Sequence, residues 1–195
     1  MGLCGSKKMG TTGAIRAIKR GEEGEQMIYD NIHDIKPHKK NVMGVSPFLC
    51  ACKLGNINII KAFLEGPNTS MLGPKDFSEG LWNACSGNHL NLELCSMLLT
   101  NKWNNRVADP NFTDRETLNT PLHLCLRRRK AWNIKQIAER SYTIALLVKA
   151  GAKFDILNMD QKTPLEMGIV TEFERGCVSL VKAGAPLLQV QTYLK

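Results

Sequence analysis

Seven cysteines and four histidines carry most of the reactive chemistry open to this 195-residue chain. The cysteines are Cys4, Cys50, Cys52, Cys85, Cys95, Cys125 and Cys177, and the histidines are His33, His38, His89 and His123. No two cysteines form a C-x-x-C pair, and zinc at Cys50 and Cys52 would need two further ligands that no spacing supplies. An odd count in a chain of this length argues for a reducing compartment rather than a disulfide scaffold. No Gly-rich phosphate loop, H-E-x-x-H or G-x-S-x-G pattern is present. No catalytic residue, metal ligand or cofactor is therefore expected, and an enzyme built on Cys50 or Cys125 ranks third among the readings of this sequence.

Lipid chemistry is better supported. Met1-Gly2-Leu3-Cys4-Gly5-Ser6-Lys7-Lys8 satisfies the N-myristoylation pattern, with Gly2 as acceptor once Met1 is removed. One myristoyl chain binds membranes only marginally, with an association constant on the order of 10⁴ M⁻¹. A second chain on Cys4 would add about 0.8 kcal/mol per buried methylene, and Lys7 and Lys8 would each contribute about 1 kcal/mol at an anionic leaflet. Acceptor, second acceptor and basic flank thus fall within eight residues, in the order of dually acylated proteins of the cytosolic face. The same segment lacks an apolar h-region, so it does not read as a secretory signal.

A second cluster is cationic. Arg127-Arg128-Arg129-Lys130 precedes Trp132 and Lys135. Four adjacent cations repel one another and belong at the surface, either as a solvated loop or as a patch for acidic protein, phosphoinositide or RNA. The net charge of +8 leaves nucleic acid, an anionic membrane surface and acidic protein open as partners. Nucleic acid ranks last, because aromatics are only 6% of residues and do not interleave with basic ones. With 43% hydrophobic residues, disordered, collagen-like and coiled-coil chains are excluded. No apolar run approaches the roughly 20 residues a membrane span needs.

The elements that would position these groups come from an internal repeat. Ser46-Pro47-Phe48, Thr120-Pro121-Leu122 and Thr163-Pro164-Leu165 recur, each opening a helical pattern. The hydroxyl can accept a bond from an orphan N–H, and proline at the first helical position gives up a donor that would go unpaired anyway. After Pro47, small residues lead to Gly55, which suits a left-handed helix end, and Ile59, Ile60, Phe63 and Leu64 follow at helical spacing. Neither short helix can bury its face alone, so similar units must stack.

Residues 44–64, the segment Thr120-Pro121-Leu122-His123-Leu124-Cys125, and the endings Lys149-Ala150-Gly151-Ala152 and Lys182-Ala183-Gly184-Ala185 resemble the ankyrin repeat. That unit has about 33 residues and a T-P-L-H-x-A signature. The resemblance covers roughly residues 42–188. It implies an all-α solenoid of helix-turn-helix units with β-hairpin fingers, about four repeats plus a degenerate N-terminal cap. The expected organisation is a flexible lipid-bearing segment at 1–8, the degenerate cap at 9–41 and the repeat domain at 42–195. It also implies that His123 hydrogen-bonds backbone between repeats and that Cys50, Cys52, Cys85, Cys125 and Cys177 fill small buried positions.

Departures from the pattern are visible. The second unit begins Glu79-Gly80-Leu81-Trp82-Asn83-Ala84-Cys85 without a Thr-Pro cap, with Asn83 at an apolar position and a late second helix at 92–99. About ten extra residues from Arg127 onward separate the helices of the third unit. The implied function is a non-enzymatic protein-interaction adaptor, expected as a monomer, held on the cytosolic face of a membrane through Gly2 and Cys4. Its expected contact residues are Phe112, Arg115, Lys153, Asp155, Leu157 and Met159 on fingers and loops, with Arg127, Arg128, Arg129, Lys130 and Trp132 as anchors. The alternative is a soluble adaptor or inhibitor without lipid, such as a translocated effector or a nuclear regulator.

Overall fold

The computed structural model describes residues 8–100, 106–128 and 132–186. These residues form five successive helix pairs: α1 (Thr11–Lys19) with α2 (Glu22–Asp30), α3 (Pro47–Leu54) with α4 (Ile57–Glu65), α5 (Pro74–Ser86) with α6 (Leu92–Leu99), α7 (Pro121–Leu126) with α8 (Ile134–Lys149), and α9 (Pro164–Val170) with α10 (Glu174–Lys182). The first helices stack side by side in the order α1, α3, α5, α7, α9, with their partners packed behind. Each pair is too small to bury its own apolar face, so the core runs continuously through the stack.

Local chemistry starts the helices where the sequence says it should. Ser46 Oγ accepts the Leu49 N–H at 3.2 Å, Thr120 Oγ1 that of His123 at 3.3 Å, and Thr163 Oγ1 that of Glu166 at 3.3 Å. Two starts differ from expectation. The second unit does carry a proline cap, but more than a turn upstream of Glu79. Pro74 opens α5, and the Asp76 carboxylate accepts the Gly73 N–H at 2.8 Å in place of a hydroxyl cap. In the third unit the extra stretch runs into helix from Ile134 onward. Asn133 and Gln136 cap each other's backbone N–H at 2.9 Å, so α8 begins at Ile134 and runs for 16 residues.

Small residues set the spacing of the first-helix row. Ala51, Cys52, Ala84, Cys85 and Cys125 are fully buried there, acting as small hydrophobes, while Cys177 is half-buried. A Cβ on Gly80 would already sit 3.0 Å from the Phe48 ring. Phe48 in turn stacks at 5.9 Å on Phe77, which ties α3 to α5.

The fingers are turns, not strands; no strand forms among the described residues. Asn41 N–H donates to Val45 O at 2.9 Å, Asn158 N–H to Lys162 O at 3.0 Å, and Met159 N–H to Thr117 O of the neighbouring finger at 2.9 Å. The reason no ladder extends is that an Asx side chain heads each turn. Asn41 Oδ1 accepts the N–H groups of Met43 and Val45, Asp114 Oδ2 those of Glu116 and Thr117, and Asn158 Oδ1 those of Asp160 and Lys162. Those donors are then unavailable for strand pairing.

Candidate functional site

Between the first-helix row and the fingers lies a concave groove of about 670 Å³. Its walls are Lys19 at the end of α1, Val45 on a finger, Leu49, Cys50 and Lys53 on α3, Trp82, Asn83 and Ser86 on α5, Thr117 and Asn119 on the next finger, and Leu124 and Arg127 at the end of α7. Among the described residues three cations and no carboxylate line it, so the groove attracts negative charge. The Trp82 indole is fixed there, donating to Asn119 O at 2.8 Å. Asn83, out of place for a buried apolar position, is explained by this wall: it is half-exposed and its amide donates to Glu79 O at 2.8 Å.

The groove's thiol is not an activated nucleophile. Burial pushes Cys50 up, and the nearby Lys19 and Lys53 charges only partly offset it. Cys125 is held below its ordinary value by a hydrogen bond from Cys85 and by the Arg140 charge, against its burial. It is completely buried, with no surface on which a substrate could meet it.

Of the suggested contact residues that are described, only Arg127 lines this groove. Arg128 is exposed but committed to the next unit: its N–H donates to Thr171 Oγ1 at 3.1 Å and its guanidinium to Glu172 O at 2.9 Å. Arg115, Leu157 and Met159 are exposed on fingers and Phe112 is half-buried, while Lys153 and Asp155 border a separate hollow of about 590 Å³ with Phe154 and Pro186. Trp132 is not an exposed anchor. It is only 9% exposed, its ring packed edge-on against Phe173 at 5.8 Å and under Arg140. Gly2, Cys4, Arg129 and Lys130 lie outside the described residues. The sequence reading missed Lys19, Lys53, Trp82 and Asn83. The signal was there in part: Lys19, Lys53 and Arg127 each close a first helix or directly follow one.

No protein-family model matches this chain, and no curated protein does. Its structure does have a match among solved ones: the crystal structure of an ankyrin-repeat protein, at 17% sequence identity and a TM-score of 0.65, covering 93% of this chain and 85% of that one. The fold is an ankyrin-repeat solenoid.

Two buried side chains hold the ankyrin units that form the groove. His123 Nδ1 accepts the Thr120 N–H at 3.2 Å, which leaves the ring proton on Nε2 to donate to Lys162 O at 2.9 Å. Neutral imidazole thus links the third unit to the next finger. Burial lowers its pKa, only partly countered by the Lys162 carbonyl. Protonation would set a second N–H against that of Thr120. The unfolded chain therefore binds a proton that the folded chain resists, so stability is present above the unfolded value near 6.5 and falls as pH drops below it. We expect stability to fall as pH drops below about 6.5, with a slope from this group that stays under the one-proton limit of about 1.4 kcal/mol per pH unit. Urea midpoints of wild type and His123→Gln above and below that pH test this; equal pH dependence in the two would refute it.

The second is Arg140 of α8, 1% exposed. Its guanidinium donates to Cys85 O at 3.0 Å, Leu124 O at 3.2 Å and Gly87 O at 2.6 Å, and lies 3.8 Å over the Trp132 ring. The carbonyls of Cys85 and Gly87 at the end of α5 are groups a helix leaves without internal partners, and a cation is favoured there. One side chain thus ties three helices together behind the groove wall.

Proposed function

We propose that this ankyrin-repeat chain is a non-enzymatic interaction module whose concave groove receives an acidic segment of a partner protein. The supporting observation is the lining: Lys19, Lys53 and Arg127 converge on a groove with no carboxylate among the described residues. Like charge would repel basic partners, and opposite charge speeds encounter with acidic ones. Nucleic acid fits less well, because among the described residues Trp82 is the only Phe, Tyr or Trp in the wall and its indole is already engaged, leaving no row of rings for bases.

Selection from a random displayed peptide library tests this directly. Peptides enriched on the wild-type chain should be rich in Asp and Glu, and Lys53→Glu with Arg127→Glu should weaken a selected peptide at least about tenfold. Enrichment without acidic bias, or affinity that survives both reversals, would sink the reading.

The tether belongs to the same proposal. Myristoyl on Gly2 and an acyl chain on Cys4, beside Lys7 and Lys8, would hold the solenoid on the cytosolic face of a membrane. None of the described helices is long and apolar enough to cross one. Intact-mass analysis of protein purified from eukaryotic cells decides the matter: free Gly2 and Cys4 would leave a soluble adaptor.

A further inference from the structure

We propose that the first finger, residues 36–45, is a membrane-contacting wedge that inserts into anionic phospholipid independently of N-terminal acylation. Its tip is Val42 and Met43, 103% and 79% exposed. They occupy the two middle positions of the turn closed by Gly44 N–H to Asn41 O at 3.0 Å, where polar residues, glycine and proline ordinarily sit. Two adjacent apolar side chains stand largely in solvent, uncovered by any of the described residues.

The tip is presented on a firm base. Asn41 Oδ1 accepts the Met43 and Val45 N–H groups at 3.0 and 3.1 Å, and the Phe48 N–H donates to Pro37 O at 3.1 Å. Farther back, the Asn68 amide is hydrogen-bonded to the carbonyls of Ile32, His33 and Ile35. A rigid apolar tip loses little conformational entropy on insertion.

Charge at the base selects the occupant. Lys36 and Lys39 are exposed and have no ion-pair partner among the described residues, whereas Lys40 is paired with Glu79. Asp34, the nearby carboxylate, is met by Lys8 Nζ at 3.6 Å. That contact also brings the chain at residue 8, just after the proposed lipid acceptors, to the base of the same finger. Apolar tip and cationic base follow the order of an anionic bilayer from its acyl region outward. A protein pocket would satisfy the tip but leaves the paired arrangement of tip and base unexplained.

The full-length chain carrying Gly2→Ala, so that myristoylation at Gly2 cannot contribute, is sedimented with vesicles of phosphatidylcholine alone and of phosphatidylcholine with 30% phosphatidylserine, a fraction of about one lipid in three chosen to give a clear surface potential. Partitioning should require phosphatidylserine and fall steeply with salt. Val42→Ser with Met43→Ser should reduce it by roughly tenfold or more, and Lys36→Glu with Lys39→Glu should abolish it. All four side chains are exposed, so circular dichroism and thermal midpoint should match wild type. The proposal is overturned by an absence of binding, by equal binding to neutral vesicles, or by binding that survives the tip change. It is also overturned if light scattering shows a dimer that the tip change dissolves, since the tip would then be a self-association surface. None of these outcomes depends on whether the groove binds acidic peptide.

Discussion

Replacing Arg140 with Met should cost about 4 kcal/mol of folding stability, a large share of what a domain of this size has. The substitution keeps apolar volume but strands the carbonyls of Cys85, Gly87 and Leu124, which the guanidinium serves from within the core. Each buried acceptor left unpaired costs about 1–3 kcal/mol. Loss of the cation over Trp132, 3.8 Å from the ring, removes roughly another 1–2 kcal/mol at a desolvated site. Against this stands the relief of burying a charge, which reduces the total without reversing it, because the partners remain polar. Lysine at the same position should recover less than half: its compact ammonium cannot span three carbonyls and stack on an indole together. Urea unfolding followed by circular dichroism measures the change. A double-mutant cycle with Trp132→Ala should show coupling of at least about 1 kcal/mol. If Arg140→Met unfolds at the wild-type midpoint, the carbonyls have found other donors and Arg140 holds nothing together.

Arg140 and Trp132 also show where the sequence stops being legible. Local rules carry the helix starts, because a hydroxyl followed by proline acts on its own N–H groups, as at Ser46, Thr120 and Thr163. They carry the left-handed end of α3 too, where Gly55 has φ 69°. What they miss depends on partners far away in the chain. In sequence, Arg127 to Lys130, Trp132 and Lys135 read as one basic stretch with an aromatic, which suggests a surface, and nothing singles out Arg140. In the structure, Trp132 and Arg140 turn inward, because the end of α5, 53 residues before Arg140 at Gly87, offers carbonyls that only a long forked cation can reach. The groove was half legible for the same reason. Arg127 stood out as part of a run, whereas Lys19 and Lys53 are isolated lysines until stacking aligns the ends of their helices. The fingers read as hairpins because their spacing is right, but Asn41, Asp114 and Asn158 take up the donors a ladder would need.

Gly24→Ala should be the most damaging methyl group that can be added to the N-terminal pair. Helix propensity alone favours alanine over glycine, by up to about 1 kcal/mol, even at the third position of α2. Sterics decide the sign instead. A Cβ on Gly24 would stand 1.8 Å from Ala17 O and 2.5 Å from Ala17 C, both backbone atoms of α1, so no rotamer can relieve the clash. α1 and α2 must separate, exposing Ala14, Ala17, Ile18 and Ile28, all now buried. Overpacking of this kind costs about 3 kcal/mol. In a solenoid each unit leans only on its neighbour, so the loss should stay at the end. Amide exchange should then speed up by roughly 100-fold across residues 11–30 while residues 47–182 keep their protection. Function should follow the structure in a graded way. Lys19, which closes α1, would leave the groove and weaken acidic peptides. The first finger, secured by Asn68 and Phe48 rather than by α2, should keep its vesicle binding. Unchanged exchange at residues 11–30 would mean that α1 and α2 are not in backbone contact at Gly24. Loss of vesicle binding along with peptide binding would mean that the finger depends on the pair it follows.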